Sequence, residues 1–181
     1  MVQENFDSLA SDLEKEELEA SGGVASSQTY AKLLAVYLYQ NDLCNAKFLW
    51  KRIPLSIKTT NVEVGQIWEV GKAMWQRDFP AVYSAIAAVQ WSEGVAPIMK
   101  VLREAVHVRA TQLVCRAYGS LSITNAAGML GCTSEQIIQQ KDWIIDNQMV
   151  SPPRPIPPPS PETSSEEQLS KLTDFVAFLE N

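Results

Sequence analysis

The sequence holds a single histidine, His107, among its 181 residues. Any Ser-His-Asp or Cys-His device, and any histidine-bearing zinc site, would have to pass through that one side chain. It falls mid-helix between Val106 and Val108, near Arg103 and Arg109, and reads as a structural or surface histidine. Cysteine is equally sparse: Cys44, Cys115 and Cys132 are odd in number and far apart. That rules out a disulfide framework and a metal knuckle, and points to small core residues in a reducing compartment. Gly128-x-x-Gly131 lacks the preceding strand and following lysine of a phosphate loop, so it reads as turn chemistry. No catalytic, cofactor-binding or metal-ligating residues are therefore expected.

Long apolar runs are also missing, and none approaches the ~20 residues needed to span a bilayer. The first segment, with Glu4, Asp7, Asp12 and Glu14, is the wrong chemistry for a signal or transit peptide. A soluble intracellular protein is the expectation. No basic stripe of the kind that binds phosphate backbones is present either. The formal net charge of -6 is concentrated at the ends: residues 1–21 carry -6, residues 22–150 carry +3 and residues 151–181 carry -3.

Against these absences stands a hydrophobic content of 46%, enough for a packed core. Its periodicity is helical. Phe6, Leu9, Leu13 and Leu18 mark one side of an acidic helix over 5–20, which Gly22-Gly23 ends. Tyr30, Leu33, Leu34, Tyr37 and Leu38 mark a helix to Gln40. Asn41-Asp42 is a turn, and Leu43 to Trp50 forms a second helix before Pro54. The pattern then recurs 36 positions on: Gln40-Asn41-Asp42-Leu43 is echoed by Gln76-Arg77-Asp78-Phe79, and Ala35 by Gly71, a small residue where two helices approach. A period near 36 built of two short helices is close to the tetratricopeptide type, whose stacked pairs make binding surfaces. A longer helix is expected over 92–118, interrupted by Pro97.

The next segment changes character. Leu121-Ser122-Ile123 reads as a short strand, Thr124 as the cap of a brief helix, and Gly131 as a sharp turn. Thr133-x-x-Gln136 is a capping box opening a third helix, with Ile137, Ile138, Ile144 and Ile145 on one face. This is a helix-turn-helix layout, a winged helix if strands flank it. Residues 133–148 hold Lys141 against Glu135, Asp142 and Asp146. Duplex recognition wants cations there, so a protein-interaction winged helix is expected and direct nucleic-acid binding is not.

Residues 151–165 contain seven prolines and read as an extended linker, about 45 Å if fully stretched. Ser165-x-x-Gln168 then opens a terminal helix. Leu169, Leu172, Val176 and Leu179 follow a 3-4-3 spacing, widened by Phe175 and Phe178. An isolated helix of this length is marginal in water. These six side chains are the candidate protein interface.

Paired helices followed by a winged helix resemble the PCI module of the proteasome lid, the COP-nine signalosome and translation initiation factor three. Three strings are similar to the family of the signalosome's smallest PCI subunit: Phe48-Leu49-Trp50-Lys51-Arg52-Ile53-Pro54, Trp75-Gln76-Arg77-Asp78-Phe79-Pro80 and Gln90-Trp91-Ser92. The terminal run from Leu172 to Asn181 is similar to the end of that family. The resemblance implies a fold class: mainly α, with tetratricopeptide-like helical pairs, a small PCI-type winged helix and a separate C-terminal helix. The expected divisions are an acidic helix at 1–21, helical repeats at 22–119, a winged helix at 120–150, the proline-rich linker at 151–165 and a bundle helix at 166–181. It also implies partners: other PCI and MPN subunits of the signalosome, and through them cullin-RING ligases, with no membrane and no cofactor. The implied work is scaffolding for the removal of a ubiquitin-like modifier from cullins, by a zinc isopeptidase on another subunit. A small PCI subunit of the lid or the initiation factor is the alternative.

Overall fold

The computed structural model describes residues 2–139, 142–154 and 165–180. It is mainly helical, with one small sheet. Helix α1 (Val2–Glu19) packs along α2 (Ser27–Tyr39). Leu13 and Ala10 are buried there, with Phe6 and Leu9 against the same core. Leu18 is 84% exposed and is not on that stripe. Helical spacing from Leu13 brings position 17 inward instead, and Glu17, its side chain only 10% exposed, pairs with Arg52 through two 2.7 Å hydrogen bonds. Two more acids bind the helix to the body: Glu16 accepts from Thr29 and Glu14 from Tyr37, each at 2.7 Å.

Helices α2 and α3 (Leu43–Arg52) form one antiparallel pair, and α5 (Val62–Gln76) and α6 (Phe79–Ala87) the next. A short α4 (Leu55–Thr60), started by Pro54, sits between them. The 36-residue echo is a structural repeat. Asn41 and Arg77 are both left-handed, at φ 62° and 58°. The following aspartates cap the next helices, Asp42 accepting from Asn45 N–H and Asp78 from Ala81 N–H. Even the turn hydrogen bonds match: Asp42 N–H donates to Tyr37 O and Asp78 N–H to Ala73 O. Gly71 lets α5 close on α2, because a Cβ there would lie 3.2 Å from Leu38 Cδ2 and from Trp68.

Helix α7 (Ala96–Ala117) joins two cores. Pro97 lies in its first turn and does not interrupt it, since the N–H that proline lacks has no intrahelical partner at that position. Ile98, Met99, Leu102 and Val106 belong to the repeat core. Ala110 and Val114 belong to a second core with Leu121, Ala126, Leu130, Ile137, Trp143 and Val150. This second unit is a winged helix. Strand β1 (Leu121–Ser122), α8 (Ile123–Leu130), α9 (Ser134–Ile138), β2 (Ile144–Asp146) and β3 (Met149–Ser151) follow in order, and the antiparallel sheet runs β1-β3-β2. Two local expectations change. Ser122, not Thr124, caps α8 by accepting from Asn125 N–H. The Thr133–Gln136 capping box forms with both bonds, but α9 stops at Ile138. Ile144 and Ile145 therefore lie on a strand, not on the third helix, and the hairpin turns at left-handed Asn147. The wing is complete.

Residues 155–164, most of the expected linker, and Lys141 lie outside the described residues. Beyond them α10 (Ser165–Glu180) forms a regular helix.

Candidate protein-interaction site

Every residue of α10 is exposed, so the helix does not bury its stripe in the body. Leu169, Leu172, Phe175, Val176, Phe178 and Leu179 are between 49% and 79% exposed. At 100° per residue they cover about half of the helix circumference, a far broader band than a surface helix leaves in water without a partner. Lys171 pairs with Glu167 at 2.9 Å on the same helix, a contact that supports helicity and leaves the apolar band uncovered. Full burial of six such side chains would contribute about 10 kcal/mol before ordering costs.

The winged helix presents a second apolar surface. Val150 pairs with Leu121 and Ile145 and points into the core. Alternation then sends Ile144 and Met149 to the outer face, where Ile144 is 73% exposed, and Ile138 on α9 is exposed as well. Strand β2 is one of the two edge strands of the sheet, β1 being the other. On α9, Glu135 is the one charged residue, which is poor chemistry for a phosphate backbone. The sequence marks Ile138 and Ile144 as apolar but places them on one helix face, and the signal for the hairpin is Asn147, whose tolerance of left-handed backbone allows the turn.

The lone histidine holds the two cores together. Its Nδ1 lies 2.8 Å from Leu130 O, at the end of α8, so Nδ1 carries the proton and donates it. Cys132 Sγ is 3.9 Å from the same nitrogen and 3.5 Å from the same carbonyl. A protonated nitrogen cannot take a proton from the thiol, and burial pushes the Cys132 thiol pKa up, away from thiolate. Burial does the same to Cys115. The joint is closed further by Gly131, left-handed at φ 63°, where a Cβ would sit 2.6 Å from the Tyr83 ring of α6. Burial of the Tyr83 hydroxyl, which has no hydrogen-bond partner among the described residues, raises its pKa to about 12.

The motif tryptophans have structural work. Trp50 stacks on Trp68 at 5.5 Å and carries Lys58 Nζ over its ring, and Trp91 donates to Ile86 O. Trp75 stays half exposed under Lys47.

A family model described as the CSN8/PSMD8/EIF3K family matches residues 24–162, which takes in both helix pairs and the winged helix. The chain belongs to this family. Within the CSN8/PSMD8/EIF3K family, it is similar to proteins named COP9 signalosome complex subunit 8. The Danio rerio protein is 47% identical over all of this chain and 97% of the relative. The Xenopus tropicalis protein is 46% identical over 98% of the chain and 94% of the relative. The Arabidopsis thaliana protein is 32% identical over 84% of the chain and 79% of the relative. The resemblance carried by the tryptophan strings thus extends over the full chain, and the mainly helical, PCI-type fold agrees with it.

Proposed function

We propose that this chain is a non-catalytic scaffold subunit of a COP9-type signalosome, held in the complex by α10. The observation that carries the reading is the fully exposed apolar band of α10 on a chain whose full-length relatives bear that subunit's name. The names of those relatives favour the signalosome over the lid and initiation-factor members of the same family. The partners are the other PCI and MPN subunits, some meeting α10 in a helical bundle and others meeting the outer face and edge of the wing. The role in cullin deneddylation is indirect: the chain holds the assembly while a zinc subunit performs the hydrolysis, and cullin-RING ligases are regulated as a result. The proposed place of work is the cytoplasm and nucleus. The blocked Cys132–His107 pair and the acidic α9 support protein binding over thiol catalysis and over duplex recognition.

Affinity purification of the tagged full chain, followed by mass spectrometry, tests the reading. Recovery of signalosome subunits in near-stoichiometric amounts is expected. Recovery of proteasome-lid or initiation-factor subunits in their place would contradict it.

A further inference from the structure

The two repeat turns and α7 enclose a cleft of about 270 Å³ that neither α10 nor the wing uses. Its floor is apolar and buried, formed by Met74, Val82 and Val106, with Leu43, Phe79 and Leu113 as walls. Two guanidinium groups also line it. Arg109 is half-buried and donates from Nε to Ala105 O at 3.1 Å and from Nη2 to Tyr39 O at 3.4 Å. Among the described residues its remaining N–H donors have no partner and no carboxylate pairs with it. Burial lowers its pKa and outweighs the opposing effects of Tyr39 and Tyr83, which marks a charge held in poorly solvated surroundings. Arg77, exposed at the rim, forms no ion pair among the described residues either. The aspartates of the two turns, Asp42 and Asp78, are otherwise engaged, each capping a helix. The equivalent rim position of the first turn is Asn41, so the rim charge is particular to Arg77 and is not required by the turn.

Two positive groups with no carboxylate partner among the described residues, beside an apolar floor, complement a ligand that carries a carboxylate next to a large apolar side chain. The volume lies at or just below the low end of ligand pockets, roughly 300–1,000 Å³, and suits one side chain with its flanking groups. A nucleic-acid backbone would leave the apolar floor unused. We propose that this cleft binds a short acidic segment of a partner protein, with one large apolar side chain on the floor of Met74, Val82 and Val106 and flanking Asp or Glu carboxylates at Arg77 and Arg109. The site is separate from α10 and does not depend on the signalosome reading.

The test is a methyl-detected NMR titration of the full chain with acetylated Glu-X-Glu peptides, X being Leu, Phe, Met or Trp. At least one peptide is expected to shift the methyl signals of Leu43, Met74, Val82 and Val106 together and saturably. The matching Gln-X-Gln peptide should bind about tenfold or more weakly. Arg77→Asn keeps the turn chemistry of Asn41 and should weaken the acidic peptide several-fold with no change in Tm. Equal binding of the Gln series, or no saturable shift of these methyls by ~1 mM of any acidic peptide, overturns the proposal. So does tighter binding of an oligouridylate at the same signals, which would assign the cleft to nucleic acid.

Discussion

Asn41 and Arg77 occupy the same left-handed position in two turns 36 residues apart, each followed by an aspartate that caps the next helix. The repeat therefore rests on backbone hydrogen bonding as well as on apolar spacing. Asp42→Ala and Asp78→Ala should each lose about 1 kcal/mol, a drop in Tm of roughly 2–4 °C for a chain of this size. Asp12→Ala, on an exposed position of α1, should change Tm by much less. Thermal melts of the three variants check this, and equal effects at all three would mean that the caps are not special.

Gly131 joins the repeats to the winged helix, and two separate constraints bear on it. Its φ of 63° disfavours a side chain, and the Tyr83 ring occupies the space a Cβ needs. Gly131→Ala should cost about 3 kcal/mol by adding backbone strain to overpacking. Tyr83→Phe keeps the ring and removes a buried hydroxyl without a partner, so it should leave stability unchanged or slightly raised. Urea unfolding of both variants separates the two effects, and a strongly destabilised Tyr83→Phe would show that the hydroxyl has a partner after all.

Thiol chemistry follows from burial. Cys44 is exposed, while burial pushes the Cys115 and Cys132 pKa values up and lowers their thiolate fractions at neutral pH. Native-state alkylation followed by mass spectrometry should label Cys44 first. His107 Nδ1 donates to Leu130 O and cannot activate Cys132, so His107→Ala should not slow labelling of Cys132. It should destabilise the joint by about 1 kcal/mol through loss of the hydrogen bond to Leu130 O, which keeps only the long contact from Cys132 Sγ. A Cys132 that outpaces Cys44 and depends on His107 would restore the dyad.

The helix pairs were legible in the sequence because polar turn residues and apolar spacing agreed. The winged helix was legible in outline through Gly131 and the Thr133–Gln136 box. Of its strands, β1 was legible as Leu121-Ser122, but β2 and β3 were not, because three residues are too short for alternation to show. Ile137, Ile138, Ile144 and Ile145 also satisfy a helical period when α9 is assumed to continue. Leu18 was misplaced because a paired acid, Glu17, fills the inward position that periodicity reserves for an apolar residue. The six side chains of α10 could be read at once, since they lie on one continuous helix. The arginine cleft could not, because Asn41, Arg77 and Arg109 come from three separate segments that only the tertiary fold assembles.

The most direct test of the account is the double variant Leu172→Asp, Val176→Asp, read by co-purification with signalosome subunits and by the Tm of the isolated chain. Both side chains are exposed in the free protein, so the melt should not change. Assembly should fall at least a hundredfold, because burying two charges in the seam costs several kcal/mol and every ~1.4 kcal/mol is a factor of ten. Normal assembly of the double variant would contradict the claim that α10 anchors this chain, and so would a loss of assembly accompanied by unfolding of the isolated protein.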